Sequence, residues 1–239
     1  MPIEPNIHPF PGLRHFETDE EDLFFGREGQ SEEILRRLRQ HRFLAVVGAS
    51  GSGKSSLIRA GLLPYLHGGF LSAAGSHWRV AIFRPGNDPI ANLAAALNHP
   101  SVLGQPAESA DEAARNAMLL EVSLRRSGLG LIEALRLARL PEHEQIVVVV
   151  DQFEELFRFA NASGKPRQED DAAAFVKLLL EAKEQSELPL YIVLTSNWSG
   201  LSPTSLSSRL TRRAARSIHR RRGPARRWRR GAARGSCAG

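Results

Sequence analysis

Four short apolar runs are spaced along the chain, at 43–47, 77–84, 145–150 and 189–195. The segments between them place apolar residues at three- and four-residue intervals. Short runs of Val, Ile, Leu and Phe without polar alternation read as strands buried on both faces, and the helical spacing between them reads as crossover helices. Helices are predicted over 31–40, 56–63, 89–97, 109–126, 129–139, 153–160 and 170–185. Pro64 and Gly68-Gly69 are expected to stop the second of these, and Asp88 is placed to cap the third. This alternation predicts an α/β fold with a mostly parallel sheet of about four strands.

The first strand runs directly into Gly48, Ala49, Ser50, Gly51, Ser52, Gly53, Lys54 and Ser55, with Ser56 continuing into the helix. This is G-x-x-x-x-G-K-S between a strand and a helix, the placement in which a P-loop cradles phosphate. The glycines let successive backbone N–H groups turn inward, and the helix that follows adds its positive N-terminal end. Lys54 is expected to reach the β/γ-phosphates of a nucleoside triphosphate, and the Ser55 hydroxyl to ligate Mg²⁺.

The third strand ends in Asp151, where a Walker B carboxylate would hold Mg²⁺ through water. Glu154 and Glu155 follow among Phe153, Leu156, Phe157 and Ala160 at helical spacing. Two readings of this acidic pair are open. They are the solvated start of an amphipathic helix, or one of them polarises an attacking water. Arg84, at the end of the second strand, either faces the nucleotide or is a surface loop arginine.

With Pro9-Phe10-Pro11-Gly12-Leu13-Arg14, Phe24-Phe25-Gly26-Arg27-Glu28, His41 to Gly48 and Val150-Asp151-Gln152-Phe153-Glu154-Glu155-Leu156-Phe157, the chain resembles the STAND class of P-loop NTPases over roughly residues 5–195. More narrowly it is similar to the bacterial novel STAND NTPase 1 domain, often fused to WD40 repeats or effector domains. The resemblance implies ATP and Mg²⁺ as ligands and a switch between ADP- and ATP-bound states that controls signalling or defence. It implies that Gly26 and Arg27 lie near the base, and that Glu155, with Glu154 second, is the hydrolytic base. It divides the chain into an N-terminal segment at 1–30, a P-loop core at 31–195 and a tail at 196–239. In related P-loop folds the fourth strand is inserted between the P-loop and Walker B strands, and a fifth covers the other side of the P-loop strand. The expected architecture is therefore a three-layer P-loop NTPase sandwich, incomplete at its C-terminus, with 43–47 as an exposed, aggregation-prone edge.

Charge sharpens that boundary. Lys+Arg 32 against Asp+Glu 26 gives +6, yet twelve of the arginines lie in 196–239, which hold no Lys, Asp or Glu. The first 195 residues thus carry 20 bases against 26 acids and are net −6. An Arg-rich arm is the footprint of nucleic-acid binding. The competing reading is out-of-frame translation: 23 of the 31 residues in 209–239 are Arg, Ala, Gly or Pro, all encoded by GC-rich codons. Relatives also continue the fourth strand into a Thr-x-Arg-x-Asp-Phe segment, where this chain has Thr195-Ser196-Asn197-Trp198-Ser199. The expectation is a frameshifted or truncated product lacking the polar γ-phosphate sensor at the end of the fourth strand. Weak nucleotide binding and little hydrolysis follow from it.

The remaining composition excludes several classes. Cys237 is the only cysteine and lies in the tail, so the body has neither disulfides nor cysteine-ligated metal. No apolar span is long enough to cross a membrane and no leader precedes the fold, so a cytoplasmic protein is expected. Alternatives to the regulatory switch are a small-molecule kinase on the same fold and a nucleic-acid-binding protein acting through a genuine tail. Other partners implied by the resemblance are the repeat or effector domains of full-length relatives.

Overall fold

A computed structural model describes residues 11–68, 77–158 and 166–197, the last from its backbone alone over 166–169. Pro9, Phe10 and the tail beyond Asn197, with Trp198, Ser199 and Cys237, lie outside the described residues.

Among the described residues the sheet has four strands, β1 (Phe43–Val47), β2 (His77–Phe83), β3 (Glu144–Val150) and β4 (Leu190–Ser196). All three pairings are parallel, and the order is β1-β4-β3-β2. The last described strand is therefore the inserted one, registered with Ala45 opposite Leu194 on one side and Val148 opposite Ile192 on the other. Among the described residues β1 is an edge strand, and all five of its residues are only partly buried. By contrast, Ile146 to Val150 are fully enclosed, as an uninterrupted apolar run requires.

Side-chain alternation divides the core into two layers. Ile146, Val148, Val150, Ile192 and Leu194 face one cluster, and Val147, Val149 and Val193 face the other. The second cluster is closed by α1 (Glu28–His41) and by α2, which is built from Lys54–Ser56, a π-helical Leu57–Leu62 and Leu63–His67. Pro64 does not stop α2. In an α-helix its ring would strike the carbonyl four residues back, but here the preceding turn is widened, and Leu63 N–H donates to Ile58 O. The chain passes through the proline and leaves the helix at Gly68.

The first cluster is closed by α3 (Pro89–Leu97), α4 (Ala110–Arg126), α5 (Gly130–Ala138) and α6 (Pro166–Lys183). Asp88 caps α3 as expected, its Oδ1 accepting from Ala91 N at 3.1 Å with Pro89 following. The same carboxylate pairs with Arg125 at 2.6 Å, and Arg125 also reaches Asp171 at 2.9 Å, tying α4 to α6 and to the start of α3. No helix among the described residues is long and apolar enough to cross a membrane.

One glycine sets how closely α5 follows α4. A Cβ on Gly130 would lie 2.6 Å from Ser123 O and 2.8 Å from Leu124 Cα, both backbone atoms that cannot swing aside. Gly130→Ala is expected to lower stability by about 1–3 kcal/mol through overpacking. Urea unfolding measures this; an unchanged midpoint would show that the two helix ends are further apart.

Candidate functional site

β1 delivers the loop at Gly48, whose N–H donates to Ser196 O at 3.2 Å, so the neighbouring strand anchors the loop's first residue. Gly51 and Gly53 take positive φ of 73° and 79°, a conformation that costs glycine nothing and a side chain much. Gly53 caps the helix, and Leu57 N–H donates back to Gly53 O at 2.8 Å. Lys54 folds over the loop, with Nζ donating to Gly48 O at 3.2 Å, Ala49 O at 2.7 Å and Asn197 Oδ1 at 2.6 Å.

Asp151 stands at the end of β3, buried to 2 % exposure. Its Oδ1 accepts from Ser55 Oγ at 2.8 Å and from Thr195 Oγ1 at 2.6 Å. Its Oδ2 is buried with no hydrogen bond, and Arg84 Nε stands 3.9 Å away. A buried carboxylate oxygen without a partner is costly and calls for a cation. Ser55 and Asp151 offer hard oxygen donors, and the unpartnered oxygen gives Mg²⁺ a ligand it would accept. No cluster of three or more acidic, His or Cys side chains accompanies them among the described residues.

The next turn sorts the two glutamates. Gln152 adopts a left-handed φ of 56°, with its N–H donating to Thr195 Oγ1 at 3.0 Å. Phe153 N–H donates to Thr195 O at 2.8 Å, and Phe153 and Leu156 enter the core. Glu154 is left facing the loop, and its Oε2 accepts from Asn197 N at 3.1 Å. Glu155 starts the following helical turn and pairs with Arg158 at 3.5 Å.

These groups line a cavity of about 680 Å³, formed by Ser50, Gly51, Gly53, Lys54 and Ser55 of the loop, Arg84, and the wall Gln152, Glu154, Thr195 and Asn197. That is within the size range of small-molecule sites. Glu155 does not line it. Its remaining wall is Pro11 to Phe16, a segment whose sequence carries no phosphate-binding signal. Phe16 N–H donates to Ser56 Oγ at 3.2 Å, and Arg59 pairs with Glu17 at 2.9 Å, so the wall is fixed to the P-loop helix. Arg14 pairs with Glu20 at 2.5 Å and holds that carboxyl down to about 2, helped by the Glu17 backbone N–H. The Glu20 contribution to this turn is thus present above the ordinary carboxylate pKa, and is lost only as pH falls toward 2.

Gly26 and Arg27 are not among the residues lining this cavity. Arg27 donates to Ser52 O at 3.2 Å and lines a second groove of about 580 Å³ between α1 and β1. Two residues of the main cavity had no role in the sequence pattern. Thr195 is visible there only as a polar residue closing an apolar strand. Asn197 lies just past the strand: β4 runs through Ser196, and Asn197 turns into the cavity between Lys54 and Glu154.

No curated protein matches the chain. The model of a family described as novel STAND NTPase 1 matches residues 9–218, taking in the cavity wall, the loop, Asp151 and β4, and running past residue 195. A parallel sheet with its fourth strand inserted beside the P-loop strand, together with a match over most of its length, shows that this chain belongs to the novel STAND NTPase 1 family.

Proposed function

We propose that the chain binds ATP with Mg²⁺ in the cavity between the loop and β3–β4, and serves as the nucleotide-dependent regulatory switch of a STAND protein. The observation that carries this reading is the 2.8 Å bond between Ser55 and Asp151, residues far apart in sequence. It brings the metal-facing hydroxyl of the loop and the carboxylate of β3 to one point. The backbone N–H groups of the loop and Lys54 would take the phosphates, and Ser55 and Asp151 would hold Mg²⁺, which would supply neutralisation of phosphate charge.

The terminal phosphate then lies toward Glu154 and Asn197, and the nucleoside toward the wall at 11–16. Of the two glutamates, Glu154 is the one we assign to orient water, because it lines the cavity. Arg27 is assigned to brace the loop through Ser52 O, and Gly26, at φ 81°, to shape the turn before α1. Adenine is the base that the family implies.

Calorimetric titration of the purified protein with ATP, ADP and GTP in Mg²⁺ tests this. Saturable binding of ATP is expected, with thermal stabilisation of about 2.7 kcal/mol at a hundredfold excess over Kd. Tighter binding of GTP would reassign the base; absence of heat and of stabilisation with all three would overturn the reading.

A further inference from the structure

Arg84 stands at the end of β2, where the chain turns through Pro85 and Gly86 into α3. Its backbone is fixed: Asn92 Nδ2 donates to Arg84 O at 3.3 Å and to Pro85 O at 3.0 Å. Its side chain is half exposed, lines the cavity, and reaches Asp151 Oδ2 only at 3.9 Å, beyond hydrogen-bond distance. Asp151 Oδ2 has no other partner. A long cation on a rigid base therefore leans toward a buried anionic oxygen without seating on it.

Two cations cannot share that oxygen at short range, since like charges in a partly dry site repel strongly. Lys54 and Arg84 are the cationic side chains at the Glu154–Asn197 end of the cavity, and Arg14, its other arginine, is engaged by Glu20. We propose that Arg84 is a γ-phosphate-reading residue with two stations: against Asp151 Oδ2 when no divalent cation is bound, and on the terminal phosphate when one is. The proposal rests on the nucleotide reading above and adds to it the residue that distinguishes triphosphate from diphosphate. A planar guanidinium suits this part, because it offers paired N–H donors to phosphate oxygens.

The test is titration of wild type, Arg84→Gln and Arg84→Lys with ATP and ADP, each in Mg²⁺ and in EDTA. With Mg²⁺, Arg84→Gln is expected to weaken ATP roughly tenfold, the size of one charge-assisted contact. ADP should change by less than about twofold, since it has no group at that station. Arg84→Lys should fall between wild type and Arg84→Gln for ATP, because it keeps the charge and loses the fork. In EDTA, wild type and Arg84→Gln should bind ATP alike. Equal weakening of both nucleotides, or of neither, overturns the proposal, as does equal weakening of ATP with and without Mg²⁺. Unchanged thermal unfolding of the variants confirms that the fold is intact, and Arg84→Lys carries the comparison if Arg84→Gln unfolds. Failure of wild type to bind either nucleotide is a separate outcome that overturns the nucleotide reading, and this proposal with it.

Discussion

Lys54→Ala is expected to reduce ATP affinity by about 100-fold or more, with little change in thermal stability. The ammonium is held by Gly48 O, Ala49 O and Asn197 Oδ1, a set of neutral acceptors. Those acceptors place a full positive charge among the glycines and hydroxyls of the loop side of the cavity. Contacts of a phosphate with that charge are worth about 1.5–3 kcal/mol each, and losing more than one accounts for the magnitude. The fold should tolerate the change because the side chain is not part of either apolar cluster. Calorimetry of the variant beside wild type measures it, and affinity kept within about threefold, well under 1 kcal/mol, would sink the P-loop assignment.

Asp151→Asn is expected to act on Mg²⁺ rather than on the fold. The amide keeps one oxygen to accept from Ser55 and Thr195, so the junction of the loop, β3 and β4 persists. What disappears is a buried carboxylate oxygen without a hydrogen bond, whose desolvation opposes folding. Thermal stability should therefore hold or rise. Nucleotide affinity in Mg²⁺ should fall roughly 10- to 100-fold, the loss expected when a group that supports a bound metal is removed. Affinity in EDTA should match that of wild type. A variant whose ATP binding still responds to Mg²⁺ as wild type does would place the cation elsewhere.

The strands and the loop were legible for a common physical reason. Parallel strands buried on both faces must be apolar throughout, so 43–47 and 145–150 announce themselves, and the glycines at 51 and 53 meet positive φ that other residues resist. Helix boundaries were less so. α1 ends at Arg42, held in the left-handed region at φ 53° while its guanidinium reaches Ser186 O and Leu188 O, and no glycine marks the turn. Pro64 misleads because only the π-helical widening before it lets the helix continue.

The cavity was half legible. Gly48 to Ser55 and Asp151 carry their chemistry in local patterns. Choosing between Glu154 and Glu155 depends on Gln152, whose left-handed turn keeps 151–154 outside the helix that begins at Glu155, and nothing in a glutamine's identity reveals that conformation. Thr195, Asn197 and the wall at 11–16 enter through tertiary placement alone: β4 is inserted beside β1, and Phe16 is tied to Ser56.

The insertion of β4 also governs the order in which this domain can be assembled. Phe43 pairs with Ile192 and Val47 with Ser196, and among the described residues β1 has no other strand beside it. On a ribosome the P-loop strand therefore emerges long before the neighbour it needs, and at about 5–20 residues per second it waits roughly 7–30 s for it. Contacts this distant along the chain fold slowly, because loop closure precedes any gain from pairing. The loop at 48–55, anchored through Gly48 to Ser196, is accordingly expected to be among the last parts of the domain to form. Nucleotide can stabilise the finished fold; it cannot template the first steps toward it.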